Sequence, residues 1–177
     1  AGAGHAPLPV QVQRRVAVLV AAGSPAALPA KGATTVIPTV FMIGSDPVEL
    51  GLVASLNHPS GNLTGVAYLN VEVAPKRLEL LHQFVPAAKS IALLVNPANP
   101  VVAEAQEKEL VSAARTLGLH LLLVNASNPI EIEDAFATLV RDRVGALQIG
   151  VYPLFSNHVD QLVAIATRHK EPTIYPW

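Results

Sequence analysis

Asp46 is the carboxylate best placed for general-base work. It follows an apolar run, Thr39–Ile43, and a break at Gly44 and Ser45. Its neighbours argue for another role. Pro47 stands at a first helical position and Glu49 three residues after Asp46, the pattern of a capping box with a proline-set first turn. Capping is therefore favoured over catalysis for Asp46. Ser24 and Ser45 lie at equivalent strand ends, but Pro25 and Asp46 follow them, so neither builds a GxSxG elbow. A triad assembled only in space stays open at this point. The six histidines lie far apart, with no HxH or HxxxH spacing for a metal, and there is no cysteine for thiol chemistry, disulfides or a cysteine-zinc site. No GxGxxG or GxxxxGK[ST] run is present, so no nucleotide cofactor is expected, and none of any other kind.

What remains is binding chemistry. A strand that runs into a helix N-terminus presents backbone N–H groups and the positive end of a dipole, which favour an anion such as a carboxylate. The device recurs four times. Val16–Ala22 leads to Gly23, Ser24 and Pro25. Thr39–Ile43 leads to Gly44, Ser45 and Asp46. Ile91–Val95 leads to Asn96, Pro97, Ala98, Asn99 and Pro100. Leu121–Val124 leads to Asn125 through Pro129, with Glu131 completing a second capping box. One polar cap contributes only about 1 kcal/mol to a helix and is structural first. Four on one edge are what a site would use. Two aromatics also follow strands: Tyr152 after 145–151 and Trp177 after 173–175. Either can be a packing aromatic. Aromatics at strand ends also cover small molecules without chemistry.

The elements that would position these groups alternate strictly. Ala1–Pro9 reads as a lead-in, and Val10–Arg15 as the tail of a helix. After the first strand, Ser24 should cap a helix over 25–31, cut to about two turns by Pro29 and ended by Gly32. The next strand is expected over 34–43 and covered on both faces, and the Asp46 helix should run to Leu56 with Leu50, Val53 and Leu56 inward. A turn cluster at 57–62 precedes a strand over 63–69. Residues 70–76 look like a crossing, with Asn70 as a turn residue. Helices follow over 75–84, 100–117 and 129–141, the second ended by Gly118 and the third with Phe136, Leu139 and Val140 inward. Ser156 should cap a last helix over 157–169. Strands fall at 91–95, 120–124, 145–151 and 173–175. This alternation gives an α/β fold with parallel sheets and right-handed crossovers, in two Rossmann-like lobes, 1–69 and 70–177.

Composition bounds the partners. The chain has 177 residues, 51% hydrophobic and 14% charged, with a net charge of −1. No basic stripe points to a nucleic acid. The longest apolar runs are strand-sized, short of the roughly 20 residues that span a bilayer. No signal peptide is visible, and the first residue is Ala rather than Met, as in a processed or constructed piece.

The segments FMIGSDPVELGLVASLNHPSGNLTG, KRLELLHQFVPAAKSIALLVNPANP, AARTLG, DAFATLV and IYPW, in that order, resemble the substrate-binding proteins of ABC transporters, the type I periplasmic-binding subgroup that includes tryptophan-type binders. The resemblance covers Val16 to Trp177. It implies two lobes that close over a small ligand, docking on a membrane permease, a periplasmic or other extracytoplasmic location, and no enzymatic activity. It implies ligand contacts from Gly23, Ser24, Gly44, Ser45 and Asp46 in the first lobe and Asn96, Asn99, Tyr152 and Trp177 in the second. The carboxylate of an amino-acid-like or aromatic-acid ligand would sit on the Ser24 or Ser45 turns.

The chain also departs from the family pattern. Ala22-Gly23-Ser24-Pro25 stands where the family has GTP or GGTP. The first lobe is shortened, and the crossings after IYPW are missing. An open sheet edge is expected in the first lobe, and with it a homodimer formed by exchanging a lobe. Rival readings are the effector-sensing domain of a transcription regulator, which would need a DNA-binding segment, and a small α/β enzyme, which would need a titratable partner near Asp46.

Overall fold

The computed structural model describes residues 16–59 and 61–177. The expectations for 1–15 and for Ser60 fall outside the described residues. The chain divides between Leu69 and Asn70 into two compact units.

The first unit holds a three-stranded sheet in the order β1 (Leu19–Ala22), β2 (Thr39–Ile43), β3 (Leu63–Ala67), all parallel. Helix α1 (Ser24–Ala33) packs on one face. Ala27 and Ala30 bring it close to Ala21, Phe41 and Ile43, and Leu52, Val53 and Leu63 complete this small core. The Phe41 ring lies where a Cβ on Gly65 would be, so β3 needs glycine there. Among the described residues nothing covers the other face of the sheet, where Val20, Met42 and Val66 are exposed. This corrects the expectation that β2 is covered on both faces. Alternation along β2 puts Thr39, Phe41 and Ile43 inward and Met42 outward.

Several local expectations in this unit are overturned. No helix follows Asp46. One turn forms, with Leu50 N–H donating to the Asp46 carbonyl at 3.1 Å. Gly51 then takes a left-handed φ of 64°, and the N–H groups of Leu52 and Val53 both turn back to the Pro47 carbonyl. The turn buries Leu52 and Val53 side by side and leaves Leu56 exposed. Helix α1 runs through Pro29 and Gly32 to Ala33, because the close packing of Ala27 and Ala30 outweighs one lost backbone bond. Its N-cap is Gly23 rather than Ser24. Strand β2 starts only at Thr39. The Thr34 hydroxyl accepts the N–H groups of Val36 and Ile37 in a local turn, and Asn62 Nδ2 donates to the Thr34 and Ile37 carbonyls.

The second unit is a four-stranded parallel sheet in the order β5-β4-β6-β7, with β4 (Ser90–Val95), β5 (His120–Asn125), β6 (Ala146–Ile149) and β7 (Thr173–Ile174). Ile91–Val95 and the whole of β6 are buried, as parallel strands covered on both faces should be. Around the sheet lie α2 (Ala74–Phe84), α3 (Pro100–Leu117), α4 (Pro129–Arg141), the short α5 (Pro153–Ser156) and α6 (Val159–His169). Helix α2 packs on α3 and α4 on α6.

Local signals act as expected at two helix ends here. Gly118 ends α3 at φ 68° with its N–H on Arg115 O at 3.2 Å. Asn128 Oδ1 accepts the N–H groups of Ile130 and Glu131, while Glu131 reaches back to Ser127 N–H at 2.7 Å. Two expectations fail. Val140 is exposed, since the buried stripe of α4 is Ile132, Ala135, Phe136 and Leu139. Ser156 does not cap α6. It ends α5, with its hydroxyl donating to the Tyr152 carbonyl, and His158 is the N-cap of α6. No helix among the described residues is long and apolar enough to cross a membrane.

Candidate functional site

Each unit gathers its polar groups at the C-terminal ends of its strands, because all strands in a sheet point the same way. In the first unit, Gly23 N–H donates to Met42 O at 2.8 Å and Tyr68 N–H to Ile43 O at 2.9 Å. These two bonds draw the ends of β1, β2 and β3 to one edge. Gly23 holds φ 82°, a left-handed value that a side chain would resist, and directs the chain into α1. Ser24 and Ser45 are buried at this edge, and Gly23, Gly44 and Asp46 are half-buried. The Asp46 carboxylate accepts the N–H groups of Val48 at 2.7 Å and Glu49 at 3.4 Å, the bonds of a turn cap. Tyr68 is an exposed aromatic beside them. Sequence reasoning passed over it, although an aromatic at a strand end is the signal that singled out Tyr152.

In the second unit, Asn96 follows β4 and Asn99 is the N-cap of α3. Asn96 Oδ1 accepts Ala98 N–H at 2.9 Å and its carbonyl accepts Asn99 N–H at 3.1 Å, so Asn96 shapes the turn that leads into α3. Tyr152 follows β6 and is 2% exposed, with its ring edge-on to Phe155 at 5.3 Å between centroids. Its hydroxyl is buried without a hydrogen-bond partner among the described residues. Burial pushes the phenol well above the ordinary tyrosine range, and the Asn96 backbone opposes part of that rise. Tyr152 therefore lies in the interior of the unit, against the turn made by Asn96. Trp177 is exposed, with its ring 5.5 Å from that of Tyr175. Tyr175 is half-buried, and burial pushes its phenol upward as well.

Gln106 was not singled out from sequence. It is fully buried on α3, with Nε2 donating to Val102 O and Oε1 accepting Val151 N–H at 2.8 Å. Gly150 fits beneath it. A Cβ there would lie 2.5 Å from Leu94 O and 2.7 Å from the Tyr152 ring. Gln148, on β6, donates to Ala74 O at 3.2 Å and holds α2 to the sheet.

The arrangement presents hydroxyls, amides, backbone N–H groups and aromatic rings. Among the described residues, no group of three or more His, Asp or Glu side chains could hold a metal. Such edges suit the capture of a small polar molecule.

The model of the ABC transporter substrate-binding protein family matches residues 10–176. A tyrosine-binding protein of Clostridioides difficile is 30% identical over 158 residues, which are 89% of this chain and 44% of that protein. The crystal structure of a conserved domain protein from Vibrio cholerae superposes with a TM-score of 0.79 at 25% identity, covering 95% of this chain and 55% of that one. An ABC domain from Streptococcus pneumonia in complex with L-Trp superposes with a TM-score of 0.76 at 23% identity, covering 95% and 57%. The chain thus spans about half the length of these relatives. Its α/β architecture is that of the type I periplasmic binding proteins. The chain belongs to the ABC transporter substrate-binding proteins, a family of extracytoplasmic binders and not of enzymes.

Proposed function

We propose that this chain is a solute-binding component of a bacterial ABC importer and takes an amino-acid-like or aromatic-acid ligand. Residues 1–69 would be a partial first lobe and 70–177 the second, a division supported by the compact units that meet at Leu69 and Asn70. The observation that carries the reading is the edge where Gly23, Ser24, Gly44, Ser45 and Asp46 converge. The N-terminus of α1 at this edge suits a carboxylate. The choice of ligand rests on the 30% identity to a tyrosine-binding protein. Asn96, Asn99 and Trp177 are proposed contacts from the second unit. Tyr152 would act from behind the Asn96 turn, since it is buried. The reading includes docking on a membrane permease, an extracytoplasmic, periplasmic location, pairing of copies and no catalytic turnover. The engagement of Asp46 in a turn cap supports the last point.

Thermal melting with millimolar L-tyrosine, L-tryptophan, L-leucine or phenylacetate tests the reading. A ligand at 100 times its Kd stabilises by about 2.7 kcal/mol, which raises Tm by several degrees. We expect the two aromatic amino acids to do so. No shift with any of the four compounds would overturn the reading.

A further inference from the structure

Helix α3 buries Val102, Gln106, Leu110 and Ala114, at the four-residue spacing of an inward stripe. Gln106 is the one polar side chain in that stripe, and it is fully buried. An interior amide is tolerated where its bonds are made, and an apolar side chain of the same size would fill the space without that requirement. The bonds of Gln106 reach two places. Its Nε2 donates to Val102 O at 3.3 Å, in the first turn of α3. Its Oε1 accepts Val151 N–H at 2.8 Å, past the end of β6.

Each of these places carries a turn of the candidate site. The first turn of α3 continues from Asn96–Asn99, with Asn99 N–H donating to Asn96 O and Ala103 N–H to Asn99 O, both at 3.1 Å. Val151 leads into Tyr152, whose hydroxyl lies against the Asn96 backbone. The two turns leave neighbouring strands, and Gly150 N–H donates to Leu94 O at 2.9 Å where they part. A Cβ on Gly150 would stand 3.2 Å from Gln106 Oε1, so the amide fills the space behind both turns. We propose that Gln106 is the positioning residue of the second unit's ligand edge: its amide fixes the distance between the Asn96–Asn99 turn and the Val151–Tyr152 turn, so that groups from both meet one small ligand. Gln106 acts through these turns, since it is itself fully buried. Contact groups held in place beforehand need no ordering on binding, and a loosened support behind them weakens affinity. The effect on affinity rests on the solute-binding reading, whereas the clamp itself is measurable without a ligand.

Isothermal titration with L-tyrosine, L-tryptophan, L-leucine and phenylacetate, together with amide hydrogen exchange followed by NMR, tests the clamp. Gln106→Leu and Gln106→Met keep most of the volume and lose both bonds. Each should raise the Kd of the compound that binds about tenfold or more. Each should also speed exchange at Val151, Asn99 and Ala103. Ile165→Val, buried on α6, lowers stability as well, but should leave both readings at the parent value. That split separates a positioning role from a merely structural one. A parent-like Kd in the Gln106 variants overturns the inference and leaves the solute reading standing. A parent that binds none of the four compounds overturns the solute reading. Exchange then decides the clamp: faster exchange at the three amides supports it, and unchanged exchange overturns it. Loss of folding in both variants gives Gln106 a role in the core alone and overturns the inference.

Discussion

The side-chain oxygen of Gln106 accepts the backbone N–H of Val151 at 2.8 Å, across 45 residues of sequence. The bond anchors the end of β6 to the first turns of α3, and so holds the strand-end turn where Tyr152 begins. Gln106→Leu keeps most of the volume but leaves that N–H without its acceptor. We expect a loss of about 1–3 kcal/mol. It should appear in urea unfolding as a lower midpoint at an unchanged slope.

Tyr152→Phe should do less. Among the described residues the hydroxyl has no well-formed hydrogen bond, only the Asn96 backbone nearby, so its removal should leave stability at neutral pH within about 1 kcal/mol of the parent. The folded phenol is held above its unfolded value, so the native state keeps its proton longer. The contribution of Tyr152 is full below the ordinary tyrosine range and is lost as pH rises above about 10. The gap in Tm between Tyr152→Phe and the parent should therefore widen at strongly alkaline pH. A constant gap would show that the phenol ionises freely in the folded state.

The two cap sites should separate by chemistry. Asn128→Ala should cost about 1 kcal/mol, and Asn128→Gly only a few tenths. At the other site, Asp46→Asn retains an acceptor for Val48 N–H and should be close to neutral, whereas Asp46→Ala should cost about 1 kcal/mol. Chemical denaturation of the four variants checks the order.

Glycines 150 and 118 should respond differently to alanine. At Gly150 the new Cβ meets the Leu94 carbonyl, the Tyr152 ring and Gln106, and only backbone movement makes room. A loss of more than about 2 kcal/mol is expected, in the range of overpacked cores. At Gly118 there is open space and the cost is only that of the left-handed φ, about 1 kcal/mol. Gly118→Asn should recover part of it.

What was legible in the sequence was local or periodic. The bounds of α3 follow from Pro100 and Gly118, and those of α4 from the Asn128–Glu131 box, because each signal acts within four residues. The strands were legible because both sheets are parallel and their apolar runs are short and bounded. Two of the misses come from tertiary competition, whereas the late start of β2 comes from the local Thr34 turn. Asp46 reads as a helix start, but Gly51 and the burial of Leu52 and Val53 end the turn. Pro29 reads as a stop, but the packing of Ala27 and Ala30 carries α1 past it. At the candidate site, the strand-end positions of Gly23, Ser24, Gly44 and Ser45 could be read from spacing. The burial of Tyr152 and the bond from Gln106 could not, since their partners lie far away in sequence.

Strand β4 lies between β5 and β6, which pair with it at Ile91↔Leu121 and Ile91↔Ala146. A ribosome delivers β5 some thirty residues after β4, and β6 about twenty-five residues later still. Through that interval one edge of this buried apolar strand has no neighbour. Parallel pairing of this kind is slow, and an unpaired apolar edge invites the wrong one. The nascent chain therefore carries an incompletely paired apolar strand between residues 95 and 146, and a chaperone that shields Ile91–Val95 over that interval should raise the yield of folded protein.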